Sequence, residues 1–189
     1  PFDEERNGLN LGEGAGYVVL VSDKLKDKVK TVFAELTGYC NANDAYHQTA
    51  SSAEGTGSAM AMEGALKIAQ LKPAEIGYIN LHGTGTPNND LSEGTAITRV
   101  FGAERPAVSS TKAFTGHTLG ACGGIEAVYS VLALQQGILF PNLRFATPMK
   151  EFDLTPVTTL TSAENLRHVM SNSFGFGGNC TSLIFSKAE

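Results

Sequence analysis

The sequence has little charge for its size. Asp, Glu, Lys and Arg make up 17% of its 189 residues, whereas soluble domains average about 25%. The net charge is −5, and lysine and arginine form no long run, which argues against nucleic acid or an anionic membrane as a partner. Because so few charges cannot cover a whole surface, we expect part of it to be hidden against another chain or segment.

Cysteine and long apolar runs are scarce too. Cys40, Cys122 and Cys180 are an odd number without paired spacing, which favours a reducing compartment over a disulfide framework. No apolar stretch approaches the roughly 18 residues of a membrane-spanning helix, and no signal peptide is recognisable, so we expect a cytoplasmic protein. Repeats, low-complexity tracts and linkers are also missing, and residues 1–189 are therefore expected to form a single domain.

What is present is an alternation of strand and helix patterns. Residues 15–23 are expected to be a buried strand, paired as a hairpin with the strand at 31–43, and the helix at 117–136, apolar on nearly every face, is expected to be buried and to begin at His117. Such alternation predicts an α/β fold, with a mixed β-sheet covered by helices on both faces. The remaining predicted strands lie at 76–83, 106–112, 157–160, 168–174 and 180–186, and the remaining helices at 58–72 and 90–102.

Two histidine motifs follow predicted strands. In "HGTGTPNND", His82 comes directly after an apolar strand, and in "TKAFTGHTLGA", Lys112 precedes His117, which is placed at a helix start. Ligands of open α/β sheets gather at the carboxyl ends of strands, and a neutral imidazole there can exchange one proton or hydrogen bond near pH 7. Alternatively, His82 stabilises a turn, and Lys112 forms an ordinary salt bridge with Glu93 or Asp90.

A third motif, "NSFGFGGN", predicts a tight turn with exposed backbone N–H groups, either an oxyanion hole or a plain hairpin turn. Other chemistries lack their motifs: the sequence contains no GxxxxGK[ST], GxGxxG, HExxH or CxxC. Zinc bound by His82 and His117 is disfavoured, because no cysteine or acidic third ligand is clearly placed by the sequence.

Four blocks together resemble a family. In the order "PFDEERNGLNLGEGAG", "HGTGTPNNDLSE", "SSTKAFTGHTLGACGGIEA" and "NSFGFGGN", the chain is similar to the second half of the β-ketoacyl-acyl carrier protein synthases, the elongating condensing enzymes of the thiolase fold. The resemblance covers almost the whole chain. It implies a thiolase-like half and an acyltransferase, a 3-oxoacyl-acyl carrier protein synthase of fatty acid or related acyl-chain synthesis, which performs decarboxylative Claisen condensation.

The resemblance also implies site residues. His82 and His117 match the catalytic histidines, which polarise the malonyl thioester carbonyl and stabilise the enolate. Lys112 matches the family's lysine and Glu93 its acidic partner, while Phe176 matches the gating phenylalanine, whose backbone N–H also serves the oxyanion hole.

Substrate and ion contacts follow from the same resemblance. No cofactor is implied, since the phosphopantetheine arm of the carrier protein acts as substrate. Thr84 and Thr86 match residues that contact this arm. Asp44, His47 and Thr49 match the mobile loop that faces the gating phenylalanine. A structural monovalent cation is matched by Asn80, Glu126 and Ser171.

The family's nucleophilic cysteine lies in its first half, and none of the three cysteines here has that context. The expected partners are therefore acyl carrier protein, the missing amino-terminal half, and a second subunit in a homodimer or heterodimer; alone, the chain is not expected to condense anything. The alternative is a non-catalytic partner subunit of the chain-length type, although such subunits usually lose the residues that His82, Lys112 and His117 match.

Overall fold

The computed structural model describes residues 1–188 and contains a mixed five-stranded sheet at its centre. The strands of this sheet are β1 (Glu35–Asn43), β2 (Tyr78–Asn80), β3 (Ala107–Ser109), β6 (His168–Gly175) and β7 (Asn179–Ser186), and two short strands, β4 (Ile138–Leu139) and β5 (Thr161–Ser162), form a separate pair. The spatial order is β1-β7-β6-β2-β3. β2 is parallel to both of its neighbours, whereas β7 is antiparallel to β6 and β1.

Helices cover both faces of this sheet, as predicted. The longer helices are α1 (Thr56–Ala69), α2 (Pro87–Phe101) and α4 (Cys122–Gln136), and α3 (Lys112–Thr115) is a single turn. Successive strand residues point to opposite faces: Ile79 and Met170 pack with α1 and α2 in one apolar core, and Tyr78 and Val169 pack with α4 in a second. The sheet is therefore the middle layer of three.

Short-range signals explain the helix ends. Thr86 caps α2 by accepting a hydrogen bond from the Asn89 backbone N–H (3.4 Å), and Pro87 occupies the first helical position, where its missing N–H costs nothing. Gly137 ends α4 in the left-handed conformation. None of the helices in residues 1–188 is long and apolar enough to cross a membrane.

The prediction for residues 15–23 is wrong. They form no strand, and Tyr17 and Val19 are each 89% exposed. The expected hairpin is also absent among the described residues, because β1 pairs with β7 instead. A β-branched run has strand propensity but needs a neighbouring strand to satisfy its backbone groups, and residues 1–188 supply none.

Two further predictions need correction. His117 does not begin the long helix, because Leu119 adopts a φ of +53° in a short 3-10 turn and α4 starts only at Cys122. α4 is also not buried all round, since Leu132 is 38% exposed. The strand expected at 157–160 is displaced to Thr161–Ser162, where it pairs with β4.

Candidate active site

His82 is held in place through its backbone. Two residues beyond β2, its N–H donates to Glu93 Oε1 (3.0 Å), and the N–H of Gly83 donates to Glu93 Oε2 (2.8 Å). Asn172 on β6 donates its amide to the same carboxylate at 3.1 Å. Burial raises the pKa of Glu93 to about 7, although all three hydrogen bonds favour its charged form. Glu93 is therefore an anchor for the loop that carries His82.

Lys112 pairs with Glu126 and not with Glu93, so the predicted acidic partner is wrong. The Lys112 ammonium contacts Glu126 Oε1 in a buried ion pair and lies 3.4 Å from His82 Nδ1. Asp90, the other alternative, accepts a hydrogen bond from the Phe2 backbone N–H (2.7 Å) instead. The reason is topological: α4 brings Glu126 up to Lys112, whereas Glu93 on α2 is occupied by the His82 loop.

His117 meets His82 from the opposite side of the site. The two ring centroids are 5.2 Å apart and the rings are nearly perpendicular, at 84°. The His117 backbone N–H donates to the Asn10 carbonyl (2.8 Å), and Leu119 donates its backbone N–H to His117 Nδ1 (3.2 Å). The turn that displaces the start of α4 thus also orients the His117 ring.

These contacts fix the protonation of both imidazoles. Burial lowers the pKa of His82 well below its usual range, and the Lys112 charge lowers it further. Burial and then Lys112 also lower the pKa of His117. His82 Nδ1 accepts a hydrogen bond from the Lys112 ammonium, and His117 Nδ1 accepts one from the Leu119 backbone N–H. In each neutral ring the proton therefore resides on Nε2. The site therefore presents two neutral Nε2–H donors.

A cavity of about 350 Å³ opens beside Lys112 and His117. Lys112, His117 and Thr84 line it together with Phe114 and Arg144. Among residues 1–188 no carboxylate lines it, in a chain whose net charge is −5. Such a cavity favours a polar or anionic ligand.

The two predicted threonines, Thr84 and Thr86, lie just before the amino-terminal end of α2. The Thr84 and Thr86 hydroxyls are 2.9 Å apart. Thr84 reaches the cavity, whereas Thr86 is also the helix cap described above. Their assignment to the phosphopantetheine arm stays a prediction.

The loop after β1 does face the glycine turn between β6 and β7. Gly177 donates its backbone N–H to the Gln48 carbonyl (2.7 Å). Asp44 is engaged within the chain, since its carboxylate accepts hydrogen bonds from the Ser52 hydroxyl (2.9 Å) and the Gly57 N–H (3.0 Å). His47 and Thr49 are exposed.

The glycine turn exposes one aromatic side chain. Phe176 is 80% exposed, which suits a residue that moves, and its gating role stays a prediction. Phe174, two residues earlier, packs its ring 5.5 Å from that of His82, a contact that sequence patterns did not indicate. Its place at the end of the strand predicted for residues 168–174, directly before the glycine turn, was the available signal.

Two of the three predicted cation ligands, Asn80 and Ser171, lie side by side in the sheet. Asn80 and Ser171 are register partners on β2 and β6. Both side-chain atoms of Asn80 and Glu126 Oε2 are buried without a hydrogen-bond partner in the described part of the chain. Orphaned buried oxygens fit an oxygen-ligated cation, so the residues present are compatible with that prediction.

Comparison with known proteins finds relatives over the whole chain. The chain is 43% identical over 192 aligned residues to the 3-oxoacyl-(acyl-carrier-protein) synthase 2 of Staphylococcus aureus (strain COL), covering 100% of this chain and 46% of that protein. The chain therefore spans about half the length of the curated relatives it matches.

Solved structures show the same fold over the whole chain. One is a chain from the complex of a type II PKS acyl-carrier protein with its ketosynthase bound to the hexaketide, with a TM-score of 0.95 at 33% identity, covering 100% of this chain and 47% of that one. Another is the ishigamide ketosynthase/chain length factor, with a TM-score of 0.95 at 34% identity and the same coverage. Residues 33–146 match the family described as Beta-ketoacyl synthase, C-terminal domain. The chain thus belongs to the β-ketoacyl synthase family and has its thiolase-like α/β fold.

Proposed function

We propose that this chain is the acid–base half of a 3-oxoacyl-acyl carrier protein synthase, which condenses malonyl-carrier with an acyl-cysteine. The observation that supports this most strongly is the pair of facing imidazoles of His82 and His117, whose Nδ1 atoms accept hydrogen bonds from Lys112 and from the Leu119 N–H respectively and so leave Nε2–H as the donor. Hydrogen bonds from neutral imidazoles stabilise negative charge on oxygen as it develops.

The two histidines would act on the malonyl thioester carbonyl. Both Nε2–H groups donate to its oxygen, the bond from the carboxylate to the α-carbon breaks with loss of CO₂, and the electron pair becomes an enolate. The α-carbon then attacks the acyl-cysteine thioester, and the cysteine thiolate leaves. That cysteine would come from a part of the protein beyond this chain, because none of Cys40, Cys122 and Cys180 has the sequence context of the family's nucleophile. Burial also raises the pKa of Cys122 and of Cys180, which disfavours their thiolate forms.

Lys112 acts through its neighbours in this proposal. Burial lowers the pKa of both histidines and the Lys112 charge lowers it further, while the hydrogen bond from Lys112 to His82 Nδ1 selects the tautomer that donates from Nε2. Glu126 balances the buried ammonium. Without that carboxylate the charge would be uncompensated in the interior.

The partners follow from the same assignment. An acyl carrier protein would deliver the phosphopantetheine arm past Phe176 to Thr84 and Thr86, with the loop of Asp44, His47 and Thr49 beside it. The family relative solved with its carrier protein supports this. We also propose association with the other half of the synthase and with a second subunit. A structural monovalent cation is proposed near Asn80, Glu126 and Ser171, supported by the unpaired buried atoms of Asn80 and Glu126.

A chain-length-type subunit is the alternative. One similar solved structure contains a chain length factor. The intact arrangement of His82, Lys112 and His117 favours the catalytic assignment, since a subunit that only shapes an acyl tunnel has no need of two tautomer-fixed donors.

The experiment is a comparison of variants in the intact protein. We expect His82→Ala and His117→Ala each to reduce malonyl-carrier decarboxylation and condensation by at least about 100-fold, the cost of losing one oxyanion donor. Exposed His47→Ala is the matched control and should leave decarboxylation of malonyl-N-acetylcysteamine, a substrate without a carrier protein, unchanged. Full condensation by both site variants would refute the assignment.

A further inference from the structure

A thiol lies within the cluster around Lys112, in a place that the proposed reaction does not use. Cys122 and Glu126 are one turn apart on α4, so both side chains project from the same side of the helix. His82 approaches them from the end of β2. One ligand atom from each of the three residues lies within 4.8 Å of the other two, and all three residues are buried.

This set of donor atoms has the chemistry of a zinc site. Imidazole nitrogen, thiolate sulfur and carboxylate oxygen are the three ligand types that Zn²⁺ accepts in proteins, and three protein ligands with one open position are a common arrangement. Magnesium and calcium prefer oxygen ligands alone, so the thiol selects against them. Zinc–ligand bonds of about 2.0–2.3 Å require the ligand atoms to approach to roughly 3.5 Å, so the side chains of Cys122 and Glu126 would rotate toward His82 on binding.

A cation already lies beside two members of this group. The Lys112 ammonium contacts Glu126 Oε1 and lies 3.4 Å from His82 Nδ1. Two of the three acceptors are thus arranged around a positive charge, and the Lys112 side chain is a flexible stem that can withdraw from them.

We propose that His82, Cys122 and Glu126 form an inhibitory binding site for Zn²⁺ or a similar borderline-soft divalent metal ion. On binding, the Cys122 thiol loses its proton to solvent, the metal ion takes one ring nitrogen of His82 and one oxygen of Glu126, and the Lys112 ammonium is displaced. No electron is transferred. The inhibitory consequence rests on the proposed function, because it requires His82 and Lys112 in catalysis, whereas the binding itself does not.

Binding is tested on the intact protein with Co²⁺ in place of zinc. A cobalt–thiolate bond gives a near-ultraviolet charge-transfer absorption, and we expect this absorption in the wild-type protein and in Cys180→Ala, which also lacks a buried thiol. It should be absent in Cys122→Ala and in Cys122→Ser, which keeps the side-chain size. The Zn²⁺ dissociation constant, measured by competition with Co²⁺, should rise more than about 100-fold in both Cys122 variants, since even outer-shell changes cost 10- to 100-fold. An unchanged absorption and affinity in the folded Cys122 variants would overturn the proposal.

Inhibition is tested separately by activity. Without added metal ion, we expect Cys122→Ala to decarboxylate malonyl-carrier at the wild-type rate, whereas added Zn²⁺ should inhibit the wild-type protein and Cys180→Ala far more strongly than Cys122→Ala. Mg²⁺ at the same concentration should inhibit none of them. Equal zinc inhibition of all three proteins would overturn the inhibitory site. A protein that binds Co²⁺ through Cys122 but performs no condensation would refute the proposed function and leave the metal site standing.

Discussion

Glu93 is a buried carboxylate that positions another residue and takes no part itself in the proposed reaction. Its two oxygens accept hydrogen bonds from the backbone N–H groups of His82 and Gly83, and so the orientation of the His82 imidazole depends on a side chain that does not line the cavity. Removal of such an acceptor leaves buried donors unsatisfied, which costs about 1–3 kcal/mol for each group.

The pH dependence of stability tests this anchor. Because the pKa of Glu93 is raised from 4.5 to about 7 by burial, the folded state holds more protons than the unfolded state between these values, and the contribution of Glu93 to stability falls as pH rises through that window. Glu93→Gln cannot titrate. We expect the wild-type free energy of unfolding, relative to that of Glu93→Gln, to decrease by up to about 3 kcal/mol between pH 4.5 and pH 8. Urea unfolding at several pH values measures it, and parallel pH profiles of the two proteins would contradict it.

At the scale of elements, the position of α1 on the sheet depends on glycines that allow close approach. A Cβ on Gly38 of β1 would lie 2.5 Å from the Ala65 carbonyl oxygen of α1 and 3.0 Å from Ile184 Cδ1 of β7. Backbone atoms of a packed helix cannot yield locally, so a methyl group here would push α1 away from β1.

Gly38→Ala is therefore expected to destabilise the protein by about 1–3 kcal/mol, the usual cost of overpacking. Gly175→Ala on β6 is the matched strand control, since its Cβ meets nothing within 4 Å, and it should change stability by less than about 0.5 kcal/mol. Chemical denaturation of both variants provides the measurement. Equal stabilities would mean that α1 does not sit as closely on β1 as described.

At the scale of the whole molecule, one apolar segment has no cover within residues 1–188. Tyr17 and Leu20 are 89% and 70% exposed, and the β-branched residues between them are exposed as well. Contiguous apolar patches of this kind mark interaction surfaces. The low fraction of charge, 17%, agrees with a surface that is covered in the assembled protein.

Val19→Asp tests that interpretation. In the 189-residue chain alone the change should be nearly neutral, because Val19 is 89% exposed. In the intact synthase proposed above, where the remainder of the protein would bury this segment, we expect a loss of at least about 2 kcal/mol, since an unpaired charge would then be buried. Thermal and denaturant unfolding of both forms compare the two effects. A change that is neutral in both would show that this segment stays exposed in the assembly.

The sequence by itself determined the motif order, the class of fold and the choice of His82, Lys112 and His117 as candidate site residues. These depend on local pattern, namely an apolar strand before His82 and glycines that permit sharp turns, both of which act over a few residues.

Only the tertiary structure decided which groups meet. It paired Lys112 with Glu126 instead of Glu93, moved the start of α4 from His117 to Cys122, and left residues 15–23 without a neighbouring strand. Each outcome depends on contacts between segments distant in the chain, and neither the strand propensity of residues 15–23 nor the charge of Lys112 specifies which partner the fold supplies.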